Sequence, residues 1–234
     1  MPIASILLVD DAAETRSLIE KCFDWADGPT VTSTASVKEG IARANELAPD
    51  VVLANPRMPD MDLADFLSQL NRQQLRSPPI VILLTAKQPF GDRYKALGVA
   101  GTIAKPLVPD RFACQLREIV SEARLTLQLG NLHRLGGHEF VVEMIDLFLD
   151  LAPKKIADAA AALASGNVDA IRQAAHSLKS ASANLGADAL FAAAARAERA
   201  AAQEQVDILP ALVSGMEQTF ARVKTSLEQR KRAG

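Results

Sequence analysis

Apolar and polar residues alternate in blocks along the first half of the chain, and these blocks predict strands that alternate with helices. Short apolar or β-branched runs, which are typical of strands buried in a sheet, occur at 6–9, 30–34, 51–54, 80–84 and 101–104. Helical spacing of apolar residues follows at 13–26, 36–47 and 63–70, and again after 109–110. The alternation predicts a five-stranded parallel sheet with helices on both faces.

After about residue 110 the apolar residues recur with helical spacing only. Residues 140–151 predict one apolar face, 159–202 are rich in alanine, and 207–229 predict a last long helix. Breaks between or within helices are expected at Gly130, Gly136, Gly137, Pro153, Gly166 and Gly186, with Pro153 at the start of a new helix. Helices joined by turns this short predict an antiparallel four-helix bundle.

Composition adds limits to this picture. The 234 residues are 49% apolar and 23% charged, with a net charge of -2, which is typical of a globular protein and lacks the basic excess of a nucleic-acid binder. We expect two domains, 1–125 and 126–234. Without an apolar run long enough to span a bilayer or a signal-peptide pattern at the start, we expect a cytoplasmic protein that does not bind membranes. Cys22 and Cys114 are expected to be buried, reduced thiols, and no structural metal site is predicted.

Polar residues follow several of the predicted strands at their carboxyl ends, where open parallel sheets form their sites. These residues are Asp10, Asp11, Asn55, Thr85 and Lys105. Carboxylates, a hydroxyl and a lysine that converge on one crevice suit a divalent cation and a phosphoryl group. A simpler alternative is that Lys105 only neutralises a buried Asp10 or Asp11.

The segments 6–11, 49–53, 58–59, 85–86 and 105–106 resemble, in order and spacing, the receiver domain of bacterial response regulators over about residues 1–125. The resemblance implies a flavodoxin-like (βα)5 fold. In that family, Mg²⁺ is held by the acidic pair and by an aspartate after the third strand, and this aspartate becomes an acyl phosphate. The threonine and lysine bind the phosphoryl oxygens.

Asn55 stands at the position of that phosphoacceptor aspartate, and Thr102 stands where the family usually has an aromatic switch residue. A carboxamide cannot form an acyl phosphate, and it is a poorer ligand for Mg²⁺ than a carboxylate. We therefore expect a pseudo-receiver whose Mg²⁺ site at Asp10 and Asp11 is weak or lost. Asp60 and Asp62 are the alternative carboxylates nearby, expected on an exposed loop.

His176 is the strongest candidate nucleophile in the helical half. A helix is expected over 169–185, with His176 facing solvent beside Lys179 and Ser180. A neutral imidazole is a good nucleophile near pH 7. Lys179 and Ser180 could stabilise the charge of a phosphoryl group on it, and the small residues at 175, 180 and 183 would let a partner approach. His133 and His138 have no such neighbouring residues and are expected to be ordinary surface or capping residues.

The run 176–187, with 135–137 and the helix over 139–150, resembles the histidine phosphotransfer (HPt) domain over about residues 133–230. The resemblance implies that His176 accepts a phosphoryl group from the aspartate of one receiver and passes it to another. The partners would be receiver domains of hybrid histidine kinases or response regulators, with Mg²⁺ required in the partner.

The family has no ATP site, and this sequence has no P-loop motif, so we expect a phosphotransfer carrier and not an enzyme, without a tightly bound cofactor. The pseudo-receiver would control partner binding or homodimerisation. The alternative function is a non-phosphorylated regulatory protein that docks on a kinase or regulator through the pseudo-receiver.

Overall fold

The computed structural model describes residues 3–24, 28–72, 78–86 and 92–233. These residues form two compact units, one within 3–120 and the other within 121–233. The first unit contains all five strands, and the second is helical.

The first unit is a parallel five-stranded sheet with helices packed on it, as predicted. Its strands are β1 (Ser5–Val9), β2 (Thr30–Thr34), β3 (Val51–Ala54), β4 (Ile80–Thr85) and β5 (Val99–Ala104), in the order β2-β1-β3-β4-β5. Its helices are α1 (Ala13–Cys22), α2 (Val37–Leu47), α3 (Leu63–Arg72), α4 (Asp92–Ala96) and the first part of α5, which begins at Pro109. The sequence pattern did not predict the five-residue helix α4. It extended α1 to Ala26, which lies outside the described residues.

The register of the strands brings their carboxyl ends to one edge. Val9 of β1 pairs with Ala54 of β3, and Thr85 of β4 pairs with Ala104 of β5. All residues of β3 and β4 are buried, which explains why these strands are uniformly apolar. The residues that directly follow the strands therefore emerge side by side at this edge.

The second unit is built from the rest of α5 (Pro109–Ala164), α6 (Val168–Leu185), α7 (Asp188–Ala202), a 3₁₀ turn (Val206–Ile208) and α8 (Leu209–Ala233). Within α5 the backbone leaves the helical conformation at Gly137, where φ is 75° and ψ is -172°. The stretch 138–164 and the helices α6, α7 and α8 share one apolar core, which confirms the predicted four-helix bundle.

Two expectations about helix breaks were wrong. Pro153 does not begin a helix but lies inside α5, and of the three glycines at the predicted break only Gly137 leaves the helical conformation. Gly130 and Gly136 remain helical, since glycine can adopt the helical backbone conformation as well as the conformations that end a helix. Gly137 adopts a positive φ, which other residues rarely do.

The apolar face predicted over 140–151 is only partly buried. Ile145 and Phe148 lie in the core, whereas Leu147 and Leu151 are exposed. Leu147 lies between the two buried residues in sequence but on the outward side of the helix, because neighbouring residues differ by about 100° in direction. Among the described residues, no helix combines the length and apolar character needed to cross a membrane.

The stretch 121–136 of α5 is fastened to the bundle by polar contacts. Arg124 donates to Asp188 at the start of α7 at 2.6 Å, and both side chains are largely buried. Gln128 donates to the backbone carbonyl of Asn184 at 3.1 Å. On its other side, Glu122 pairs with Arg230 of α8. These contacts make the stretch part of the helical unit.

Candidate functional site

The helix that holds His176 forms because one of its sides is apolar and its first turn is capped. Ile171, Leu178 and Leu185, spaced by seven residues, are buried in the bundle core as predicted. Asn167 precedes the helix and accepts a hydrogen bond from a backbone N–H of the first turn at 3.0 Å. The core contacts fix the rotation of α6 and thereby the direction of His176.

His176 faces solvent, with 60% of its side chain exposed. Ser180 and Ala183, one and two turns further along α6, are also exposed and small, so a partner's backbone has room to approach. Ala175 was expected to belong to this small-residue surface. That expectation was wrong, because Ala175 lies on the core side of the helix and is fully buried.

Glu198 of α7 connects His176 to Lys179. Its Oε1 lies 2.6 Å from Nδ1 of His176, and its Oε2 accepts a hydrogen bond from the Lys179 ammonium. Within the described part of the chain, no hydrogen bond engages Nε2 of His176. A neutral imidazole that donates Nδ1–H to Glu198 keeps its lone pair on Nε2, the nitrogen available to an electrophile.

Glu198 remains ionised in this cluster. Burial by itself would raise its pKa, but hydrogen bonds from Lys179 and His176, together with their charges, outweigh burial and lower the pKa of Glu198 below its ordinary value. The carboxylate therefore persists throughout the neutral pH range, and it can both orient the imidazole and balance the Lys179 charge.

The geometry changes the expected roles of two neighbours. Lys179 is not a free cation beside His176 but half of an ion pair with Glu198. Ser180 donates its hydroxyl to the carbonyl oxygen of His176 at 3.0 Å, a bond within the helix, and does not donate toward the imidazole.

The sequence interpretation missed Glu198. It lies in an alanine-rich helix in which Ala194, Ala197 and Ala201 are buried. The signal available in the sequence was a single acidic residue beside these buried alanines, which could have indicated a carboxylate that faces a neighbouring helix.

The edge of the sheet brings together the residues predicted there. Asp10 is fully buried and accepts a hydrogen bond from the Lys105 ammonium at 2.6 Å, while its other oxygen accepts from the Ala12 N–H at 3.0 Å. Thr85 is buried beside them, and its carbonyl accepts from the Lys105 backbone N–H at 2.6 Å. The Lys105 ammonium thus neutralises the buried charge of Asp10.

Asn55 uses both ends of its amide. Its Nδ2–H donates to Oδ1 of Asp11 at 2.8 Å, and its Oδ1 accepts from the Arg57 backbone N–H at 3.1 Å. The amide thus ties the loop after β1 to the loop after β3. An aspartate could accept from the Arg57 N–H but could not donate to Asp11, because an ionised carboxylate only accepts.

Asp60 and Asp62, the alternative phosphoacceptors, have structural hydrogen bonds. Asp60 accepts from the Ser36 hydroxyl at 3.0 Å and the Val37 N–H at 2.8 Å, which ties it to the start of α2. Burial by itself would raise the pKa of Asp60, but the hydrogen bonds from Ser36 and the backbone together outweigh burial and lower the pKa below its ordinary value. Asp62 accepts from the Ala64 N–H at 3.1 Å, at the start of α3. Both carboxylates therefore stabilise helix starts.

The sheet-edge oxygens that Mg²⁺ would need already have other partners. Mg²⁺ requires several oxygen ligands in a near-octahedral arrangement. Here the oxygens of Asp10 are engaged by Lys105 and a backbone N–H, and Asn55 directs an amide N–H at Asp11. In the described ranges, no three Asp, Glu, His or Cys side chains are grouped closely enough to hold a metal ion.

The remaining candidates have surface positions. Both cysteines lie in helices as predicted, but Cys114 is exposed and Cys22 is only partly buried, so the expectation that both are buried was wrong. His133 is exposed and His138 is partly exposed. Thr102 lies on β5 and is partly buried.

Two family models match the chain, one in each half. Residues 6–117 match the response regulator receiver domain, and residues 143–232 match the Hpt domain. The segment between the matches, 118–142, contains the whole helical stretch 121–136 that is fastened to the bundle through Arg124 and Gln128.

Curated relatives match the first half. The chain is 36% identical over 104 residues to protein-glutamate methylesterase/protein-glutamine glutaminase 6 of Anaeromyxobacter dehalogenans, a match that covers 43% of this chain and 29% of the relative. It is 28% identical over 122 residues to response regulator SaeR of Staphylococcus aureus, covering 51% of each. The chain spans between 23% and 52% of the length of the curated relatives it matches.

Solved structures match each half. The chemotaxis response regulator CheY4 of Vibrio cholerae is 24% identical with a TM-score of 0.46, covering 50% of this chain and 98% of that one. The histidine-containing phosphotransfer protein HptB of Pseudomonas aeruginosa is 28% identical with a TM-score of 0.44, covering 46% of this chain and 92% of that one.

Proposed function

Since the chain joins a response regulator receiver domain to an Hpt domain, we propose that this phosphorelay signalling protein carries its phosphoryl group on His176. The observation that supports this proposal most strongly is the exposed imidazole whose Nδ1 is held by Glu198. Receiver and Hpt domains are signalling and phosphotransfer modules, so the proposed activity is transfer between proteins and not ATP hydrolysis.

In the proposed step, Nε2 of His176 attacks the phosphorus of an aspartyl phosphate on a separate receiver domain. The Nε2–P bond forms, the P–O bond to the aspartate breaks, and the aspartate leaves as a carboxylate. No proton has to leave Nε2, because the neutral imidazole carries its proton on Nδ1. The imidazole gains positive charge as the bond forms, and the carboxylate of Glu198 at 2.6 Å stabilises that charge. Transfer to a second receiver is the reverse reaction.

The chain's own receiver domain is not the proposed donor. An acyl phosphate requires a carboxylate where Asn55 stands, and the amide of Asn55 is hydrogen-bonded at both ends. The donor is therefore a separate protein, for which receiver domains of hybrid histidine kinases or response regulators are the proposed class. Magnesium, where the transfer needs it, would belong to that partner.

The proposed role of the receiver half is to control partner binding or homodimerisation without being phosphorylated. Support comes from its pocket, in which Lys105 donates to Asp10 and Asn55 donates to Asp11. Because the polar groups of this pocket bind one another and need no ligand, the receiver half can present the same docking surface without phosphorylation.

The proposal predicts a phosphohistidine at position 176. Wild-type chain treated with phosphoramidate, a small donor to imidazole nitrogens, should acquire a label that survives alkali and is lost in acid. The label should be absent from His176→Gln and unchanged in His133→Gln and His138→Gln, with intact-protein mass spectrometry as the measurement. Equal labelling of His176→Gln would show that another residue is the phosphoacceptor.

A further inference from the structure

Two donor side chains lie on the turn of α6 before His176, and one carboxylate binds both of them. Arg172 donates through Nε and Nη2 to Oδ1 of Asp169, at 3.0 and 2.7 Å. Gln173 donates its side-chain amide to Oδ2 of the same carboxylate at 2.7 Å. The guanidinium and the amide are therefore already arranged to bind the oxygens of a single anion.

His176 covers this turn of the helix. Side chains of an α-helix lean toward its N-terminus, so each residue lies over the turn that precedes its own Cα. Arg172 is four residues and Gln173 three residues before His176, which makes both its neighbours on the helix surface. Because Nδ1 is engaged by Glu198, a phosphoryl group added to the imidazole is attached through Nε2.

Two cations flank His176, and they differ in how easily they can be released. Lys179 is paired with Glu198, and only 27% and 19% of these side chains are exposed. The Arg172–Asp169 pair is much more open, with 46% and 62% exposed. An exposed ion pair contributes little to stability and exchanges readily, whereas separating a partly buried pair costs more. Arg172 is therefore the cation that a new anion can recruit at the smaller cost.

We propose that Arg172, assisted by Gln173, exchanges Asp169 for the phosphoryl oxygens when His176 is phosphorylated. This inference rests on the proposed function and adds a phosphoryl-binding group to it. Only hydrogen bonds are exchanged: the guanidinium gives up a carboxylate oxygen and binds a phosphoryl oxygen in the same fork geometry. Asp169 then acts as a stand-in anion, so removing Asp169 and removing Arg172 should have opposite effects.

The test uses the full chain phosphorylated with phosphoramidate and followed by ³¹P NMR as the pH is varied. Arg172→Gln should move the midpoint of the phosphoryl titration to higher pH by about half a unit and slow labelling roughly three- to ten-fold, because one exposed charge-assisted contact is lost. Asp169→Asn should move the midpoint to lower pH. Arg172→Lys, which keeps the charge without the fork, should lie between wild type and Arg172→Gln.

Arg222→Gln is the matched control, because Arg222 is exposed on α8 and its substitution removes the same charge as Arg172→Gln. It should leave midpoint and labelling unchanged. If Arg172→Gln and Asp169→Asn both titrate like wild type, Arg172 does not bind the phosphoryl group, although His176 still functions as the acceptor. If wild type is not labelled at His176, the proposed function and this inference both fail.

Discussion

Replacing Glu198 with alanine should slow phosphoryl transfer to His176 by about ten- to a hundred-fold, the loss found when the residue that orients a metal-binding histidine is removed. Without the carboxylate, the imidazole rotates freely and its proton divides between the two nitrogens. The charge that develops on the ring also loses its counterion. Glu198→Gln should lie between alanine and wild type, because its amide oxygen can still accept from Nδ1–H without the charge.

Rapid-quench measurement of labelling by phosphoramidate, with each variant at several pH values, measures this effect. Because the pKa of Glu198 is lowered, its pairs stabilise the fold above the ordinary pKa of a glutamate, and this contribution is lost as pH falls through the lowered pKa. Between pH 6 and 9 the ratio of wild-type to Glu198→Ala rates should therefore not change through titration of Glu198. Glu217→Ala, an exposed glutamate on α8, is the control. If Glu198→Ala is labelled as fast as the Glu217→Ala control, Glu198 does not assist the transfer.

Replacing Asn55 with aspartate should make the receiver domain less stable in EDTA and dependent on Mg²⁺. The change turns the 2.8 Å hydrogen bond to Asp11 into a contact between two carboxylates, which costs on the order of 1–3 kcal/mol for the lost bond and the repulsion. Asp10, Asp11 and the new carboxylate together offer the ligands that Mg²⁺ prefers. With Mg²⁺ bound, the variant should be phosphorylated by acetyl phosphate, giving a label that hydroxylamine removes.

Thermal unfolding of Asn55→Asp with EDTA and with Mg²⁺ measures the first effect, and acetyl phosphate labelling measures the second. Asn55→Ala is the control, since it removes the amide without adding charge and should not respond to Mg²⁺. A variant that is folded but neither stabilised by Mg²⁺ nor labelled would mean that the pocket has lost more than one carboxylate. Mg²⁺-dependent stabilisation of wild type would contradict the poor fit of its pocket to the ion.

The sequence predicted the sheet well because its strands are short apolar or β-branched runs that alternate with helical segments, a pattern typical of a parallel sheet. The prediction failed where the conformational preference of a residue and the packing of its helix disagree. Proline often begins helices, yet Pro153 lies within α5. Leu147 looked like a core residue because it is apolar, but the rotation of the helix set by Ile145 and Phe148 turns it outward. Such outcomes depend on which faces pack together, and this information is not local in the sequence.

In the candidate site, too, residues in a recognisable local sequence were predicted, and contacts set by packing were not. His176 and Asn55 were found because their surroundings in the sequence match known patterns. Glu198 was not, because it lies 22 residues beyond His176 and reaches it only through the packing of α7 on α6. Ser180 was placed on the correct face, but the structure gives its hydroxyl a partner within its own helix. Spacing identifies which residues share a face, whereas hydrogen-bond partners depend on neighbouring helices.

In the proposed function, His176 is phosphorylated by another protein and not by its own receiver domain. The most direct measurement incubates the purified chain with acetyl phosphate and Mg²⁺, first alone and then with receiver domains that acetyl phosphate can phosphorylate. We expect no label on the chain alone, and an acid-labile, alkali-stable label on His176 once a suitable receiver is added. Labelling of His176 by acetyl phosphate in the absence of any other protein would contradict this expectation.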